Sequence, residues 1–210
     1  LTCILIATIS FSQSTDFENY RIIEVGSISI PNNMEIQSGN FKKLSETYQK
    51  EMSKKFGYEV SDNRIVFQHK GLNDLEKQGF ASYVRVILET EIGNFGDFDK
   101  LTNKLTATPQ EISEISKEFK NQFQKSFAGT SLKLITWYGV SIVTINGRTT
   151  LKLSYLRQLD DKPYVVVNMY RFQNNDRFHS LTLSYIQSDE ATWKPLLTKI
   201  ANSFTITNVR

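Results

Sequence analysis

The feature that narrows the fold most is a run of three alternating segments, TTLKLSYLR at 149–157, YVVVNMYRF at 164–172 and FHSLTLSYI at 178–186. Apolar and polar side chains that alternate over so short a stretch belong to strands with one face on a core. Asp160-Asp161-Lys162-Pro163 and Asn174-Asn175-Asp176 separate them with turn chemistry. Asn146-Gly147, just upstream, has the two residues a type I′ hairpin turn needs, because both central positions take positive φ. The stretch from Leu132 to Gln187 therefore reads as an antiparallel β-meander. With the hairpin centres at face value, Arg171 pairs with His179, Met169 with Leu181 and Val167 with Leu183. Leu151, Leu153 and Tyr155 continue that face. The opposite face holds Tyr170, Phe172, Phe178 and Ile186, too apolar to be left wet. A sheet apolar on both faces needs cover on both, which helices supply: the expected class is α/β (α+β), an α-β-α sandwich around a central antiparallel sheet.

The helices are legible from their stripes and ends. Thr108-Pro109-Gln110-Glu111 combines a capping Thr, a Pro suited to the first helical position and a Glu three residues on that closes a capping box. Ile112, Ile115, Phe119, Phe123 and Phe127 line one face of that helix, and Gly129 ends it. Phe41, Leu44, Tyr48, Met52 and Phe56 form a second stripe stopped by Gly57, and Trp193, Leu196, Leu197 and Ile200 a third. Pro195 requires the third helix to start close before it. Ile22–Ile30, Ile65–Phe67, Ala81–Glu91 and Ser203–Ile206 read as further strands.

At 210 residues the chain has room for one well-buried domain and little for two. A net charge of +3 from 25 basic and 22 acidic side chains gives no field of one sign. Lys and Arg come singly or in pairs, as at Lys42-Lys43 and Lys54-Lys55, so nucleic acid is not an expected partner. Leu1 to Phe11 carry no charge, and the stretch is shorter than the ~20 residues that span a bilayer. With small residues at Ser10 and Ser12 before a cleavage point, it reads as the later part of a signal peptide. A buried first strand or an uncleaved anchor are the competing readings. The expected organisation is a partial signal peptide at 1–12 and one domain at 13–210, with no membrane span in the mature chain. The expected location is periplasmic or extracellular. Cys3 lacks the small residue before it and the polar sequence after it that a lipid anchor requires. Cleavage near Ser12 leaves a mature chain without cysteine, which excludes disulfides, thiolate metal sites and Cys nucleophiles there.

Few residues suggest a site. Arg171 and His179, on one face near one end of the sheet in the expected register, could hold an anion or carboxylate. The more ordinary reading is a solvated edge, with the Arg stem covering the core. Arg85 lies opposite Val84, Val86 and Leu88, facing either a ligand or a covered outer layer. His69 has no second ligand at metal spacing and reads as a surface residue. Asp97 and Asp99 in GDFD lack the dense oxygen series of a calcium loop, and Asp160-Asp161 are turn residues. No G-x-S-x-G, P-loop or dinucleotide glycine pattern occurs. No catalytic residue, metal or cofactor is expected.

One resemblance gathers these features. GSISIP at 26–31, Trp137, Val140, Ile145-Asn146-Gly147, Leu151, Ser154-Tyr155, Arg157, the Asp176-Arg177-Phe178-His179 segment through Tyr185, Trp193 and Ser203-Phe204 resemble the PsbP-like superfamily. The likeness runs from about Ile22 to Ile206 and is greatest with the superfamily's bacterial exported branch. It implies an α-β-α sandwich, and a superfamily whose members mostly act as binding or assembly partners. Its motifs are turns and core positions, so it supports the fold and not a reaction. The expected function is an exported accessory or binding protein without catalytic activity, contacting a protein partner in the cell envelope through Tyr and Arg side chains. Such a subunit predicts an exposed aromatic patch. Two other classes compete. A carrier of a small hydrophobic or anionic ligand predicts a pocket between sheet and helix with Arg171 or Arg85 reaching into it. An unrecognised hydrolase needs a base within reach of a nucleophile in a cleft.

Overall fold

The structure, a computed structural model, describes residues 15–40, 42–43, 46–47, 50, 64–74, 82–92, 106–174 and 176–207. The stretch 1–12 read as a signal peptide, Asp97, Asp99 and the stripe from Phe41 to Phe56 lie outside the described residues. The described backbone positions between 39 and 50 are helical. Ten strands and two further helices follow one another as β1 (Phe17–Ile22), β2 (Gly26–Pro31), β3 (Met34–Ile36), β4 (Arg64–His69), β5 (Val84–Ile92), α1 (Pro109–Phe127), β6 (Leu132–Ile145), β7 (Arg148–Leu159), β8 (Val165–Asn174), β9 (Arg177–Ile186), α2 (Glu190–Ser203) and β10 (Thr205–Ile206). Seven strands make one sheet in the order β3-β4-β5-β9-β8-β7-β6, and β1-β2-β10 make a second, smaller one. Every neighbouring pair is antiparallel.

The meander forms where the turns place it. Asn146 and Gly147 take φ of 46° and 77°, as the type I′ turn demands, and Asp160 also has positive φ in the β7–β8 turn. Leu151 pairs with Arg171, Leu153 with Met169 and Tyr155 with Val167, so the expected common face on β7 and β8 is present. The β8–β9 register differs from expectation by one residue. Asn174 pairs with Arg177, so the hairpin centre falls between positions 175 and 176 instead of on Asn175. Arg171 consequently faces Ser180, Met169 faces Thr182 and Val167 faces Ser184, while His179 faces Phe172. A slip of one exchanges the two faces of a strand. His179, Leu181 and Leu183 therefore join the Tyr170–Phe172 face, and Phe178 and Ile186 join the Arg171 face.

The Tyr170 face carries the larger core. Val84, Val86, Leu88, Leu181, Leu183 and Phe172 pack there beneath Trp193, Leu197 and Ile200 of α2 and Ile28 and Ile30 of β2. Each fully buried side chain of this kind contributes ~1.5–3 kcal/mol relative to exposure. The cover on this side is thus a helix together with the small sheet. Sequence alone suggested a single strand at Ile22–Ile30; the chain instead reverses between Ile22 and Gly26, with Glu24 at φ 60°. Gly26 is required where β10 closes on β2, since a Cβ there would lie 1.8 Å from the Thr205 carbonyl oxygen.

The other face carries α1. The Thr108 side chain accepts from the Glu111 amide at 3.2 Å, and the Glu111 carboxylate accepts from the Thr108 amide at 2.6 Å, completing the capping box. Phe123 and Phe127 then pack over Tyr155, Val165 and Val167, and Trp137 Nε1 donates to Ser116 Oγ at 3.0 Å, fixing the helix to β6. On the opposite side, one 3₁₀ turn at Gln187–Asp189 leads into α2, and Pro195 sits inside that helix. Pro195 has no N–H to offer the Ala191 carbonyl. Burial of Trp193, Leu197, Ile200 and Ala201 holds the helix in spite of it. Among the described residues, no helix is long and apolar enough to cross a membrane.

Candidate functional site

The register decides where the sequence-derived candidates lie. His179 is fully buried, with Nδ1 2.9 Å from Thr90 Oγ1 and Nε2 2.9 Å from Asn174 Nδ2. Asn174 Nδ2 also donates to the Thr207 carbonyl at 3.0 Å, which fixes the orientation of the amide. Nε2 of His179 must then carry the lone pair, leaving the proton on Nδ1 to be donated to Thr90. Burial, reinforced by the charges of Arg177 and Arg148, lowers the His179 pKa to about 4, so the ring is neutral. Thr90 and His179 have the composition of a nucleophile and a base, but the base presents its hydrogen and not its lone pair.

Arg171 and Arg85 share the opposite face on either side of β9, but four residues apart along it: Arg171 faces Ser180, level with Glu89, and Arg85 faces Ser184. The Arg171 guanidinium lies 5.7 Å from the Phe119 ring centre and 5.5 Å from that of Phe178. Arg85 donates to the Val84 carbonyl at 2.9 Å and lies 5.0 Å from the centre of the Tyr83 ring. Arg157 donates to the hydroxyl of that same Tyr83 at 2.9 Å. Glu89, on the same face, meets Arg64 at 3.4 Å; burial pushes its pKa up, and Arg64 pulls against that. The structure thus parts Arg171 from His179 and leaves it on the face that carries Arg85. His69 bonds the Lys70 carbonyl through Nδ1 and meets Trp193 edge-on at 5.7 Å. No group of three or more metal-ligating side chains occurs among the described residues.

Among the described residues, two clefts open on the Tyr170 side of the sheet. The first, about 310 Å³, lies between the small sheet and the end of β5, and Ile23, Glu24, Arg64, Thr90, Ile92 and Arg177 line it. Ile23 and Ile92 are 86% and 60% exposed at its border. Arg177 bonds Asp176 at 2.9 Å and Glu24 at 3.3 Å in its wall. The second cleft, about 270 Å³, lies between α2 and the strands β6–β9. Its polar lining includes Tyr138, Lys152, Asn168, Tyr170, Tyr185, Gln187, Thr198 and the Glu190–Lys194 pair. Burial lowers the Lys152 pKa, with Lys194 adding to the effect, and burial raises those of Tyr170 and Tyr185. Neither Arg171 nor Arg85 lines either cleft. No local motif signals these sites, because their walls come from segments far apart in the chain.

No protein-family model matches the sequence, and neither does any curated protein. Solved structures do. The solution structure of cyanobacterial PsbP (CyanoP) from Synechocystis sp. PCC 6803 is similar to this chain with a TM-score of 0.51 at 13% identity, over 96% of this chain and 99% of that one. The Ran-binding protein Mog1p of Saccharomyces cerevisiae aligns with a TM-score of 0.46 at 13% identity, over 93% and 97% of the two chains. LpqN of Mycobacterium tuberculosis, involved in cell envelope biogenesis, aligns with a TM-score of 0.42 at 11% identity, over 93% and 92%. The fold is PsbP-like.

Proposed function

We propose that the chain is an exported binding protein without catalytic activity, which engages a protein partner of the cell envelope through the edge bearing Ile23 and Ile92. The observation that carries this reading is the exposure of those two side chains, 86% and 60%, at the border of one cleft. Scattered surface isoleucines need no explanation, but two at the border of one recess that Arg177, Glu24 and Arg64 also line set exposed apolar surface beside polar groups, the mixture of an interface. The exposed apolar side chains among the described residues are more often aliphatic than aromatic, with Tyr138 and Tyr164 beside five isoleucines and leucines. An aliphatic contact thus takes the place of the aromatic patch. Arg171 and Arg85, half-buried on the opposite face, would stand apart from this contact, and His179 does not reach the surface.

The non-catalytic part of the reading is supported by the protonation of the Thr90–His179 pair, which leaves Thr90 without a base. Export is supported by the uncharged stretch from Leu1 to Phe11, with the small residues Ser10 and Ser12 at its end. The test is capture from the envelope fraction with the wild-type chain and with an Ile23→Asp/Ile92→Lys variant, together with N-terminal sequencing of the native protein. A protein retained by the wild type and lost with the variant, and a native chain that begins after residue 12, are the expected results. A protein held equally by both chains would place the contact elsewhere. Retention of a metabolite with no protein would replace the partner reading with that of a carrier.

A further inference from the structure

The cleft between α2 and the sheet presents more hydrogen-bond donors than the protein uses. Lys152, half-buried on β7, points into it beside its cross-strand neighbour Tyr170, with Nζ 5.8 Å from the Tyr170 ring centre. No carboxylate among the described residues pairs with Lys152. Asn168, one strand over, accepts the Ser154 hydroxyl on Oδ1 at 2.8 Å, which directs its Nδ2 away from Ser154. That amide nitrogen, like the hydroxyls of Tyr138, Tyr170 and Tyr185, has no protein partner among the described residues, and none of these atoms is sealed from solvent. Lys194 at the rim is held by Glu190 at 2.6 Å, so the cleft carries one positive charge that nothing compensates. Beneath these groups, Leu183 and Leu197 form a buried apolar floor.

A lysine that lays its stem on apolar surface and its ammonium in water needs no ligand. That reading accounts for Lys152 alone. It does not account for the Asn168 amide nitrogen and three phenols from three strands, β6, β8 and β9, converging on the same recess with no protein partner among the described residues.

We propose that this cleft binds a small organic carboxylate, with the carboxylate on Lys152 Nζ and Asn168 Nδ2 and the apolar body on Leu183 and Leu197. The single uncompensated charge suits a monoanion, and Glu190 at the rim opposes a doubly charged phosphate. Tyr170 and Tyr185, with pKa values raised by burial, stay protonated at neutral pH and remain donors to such a ligand. At about 270 Å³ the cleft has room for a body of one ring or a short chain. It shares no lining residue with the Ile23–Ile92 cleft. The two proposals therefore stand or fall separately.

The test uses the full chain, labelled for amide NMR and titrated with benzoate, its neutral isostere benzamide, and inorganic phosphate. Saturable benzoate shifts centred on residues 152, 168, 185 and 194 are expected, with little response to benzamide. Lys152→Met and Asn168→Asp should each weaken benzoate binding about tenfold or more. Asn168→Asp keeps the acceptor for Ser154 while replacing a donor by a negative charge, so it decides the matter if Lys152→Met fails to fold. Equal binding of benzamide would reduce the cleft to an apolar pocket and overturn the assignment. Phosphate binding in preference to benzoate would overturn it in favour of a phosphate site, and the absence of saturable shifts into the tens of millimolar would remove the site altogether.

Discussion

His179 shows how a single position can be misjudged when its register is off by one. Read as a surface anion contact, it lies in the core between Thr90 and Asn174, uncharged, with no access to a ligand. Its neutrality has a consequence for stability. The folded pKa is depressed to about 4 from the ordinary 6.5, so the unfolded chain binds the extra proton first as pH falls. The contribution is therefore complete above the unfolded value and is lost as pH drops from 6.5 through about 4, for a total on the order of 3 kcal/mol. Glu89 acts with the opposite sign, because burial raises its pKa and the folded state takes up a proton there first. Urea unfolding across this window should show wild type losing its advantage over His179→Gln as the pH falls. A difference between the two proteins that does not change with pH would mean that His179 titrates in the fold as it does in the unfolded chain, and would overturn its neutral, buried assignment.

The turns and caps are where sequence speaks most directly, because their residues act on their own backbone. Asn146-Gly147 and Thr108-Pro109-Gln110-Glu111 each state their conformation in adjacent letters, and both form as expected. Replacing Thr108 with Ala removes the acceptor for the Glu111 amide and should cost about 1 kcal/mol, read as a lower urea midpoint with an unchanged slope. Restoration by Thr108→Ser would assign the loss to the cap. Asn174-Asn175-Asp176 speaks less clearly. All three residues suit a turn, so composition does not distinguish a centre on residue 175 from one half a step later, yet that half step moves His179 to the other face. Elements that depend on distant partners are less legible still. β1 has no clean alternation and forms against β2, and Gly26 is needed because of Thr205, near the other end of the described chain. The Lys152 cleft belongs to the same class: its donors come from β6, β7, β8, β9 and α2, and no stretch of sequence contains them together.

The two faces of the large sheet hold two cores of unequal size, and they raise the question whether the chain unfolds as one unit. The core under α2 draws in the small sheet through β10 and Phe204, which is 2% exposed and meets Phe172 edge-on at 5.2 Å. The core under α1 is a compact aromatic group, Phe123, Trp137 and Tyr155, with Phe123 and Tyr155 centred 4.7 Å apart. Both rest on the same strands, since Tyr170 and Val167 are three residues apart on β8 and point to opposite sides. We infer one cooperative domain, because neither layer can leave without stripping apolar cover from strands that the other layer needs. The two tryptophans make this testable, since Trp137 lies in the α1 layer and Trp193 in the α2 layer. Trp137→Phe and Trp193→Phe leave one reporter each, and their guanidinium transitions are compared with and without Phe204→Ala. Truncation of Phe204 should cost about 3–5 kcal/mol. Because the sheet is shared, the midpoint seen from Trp137 should fall together with that seen from Trp193. A midpoint that falls at Trp193 while Trp137 holds its own would make α2 and the small sheet a separate unit and end the single-domain reading.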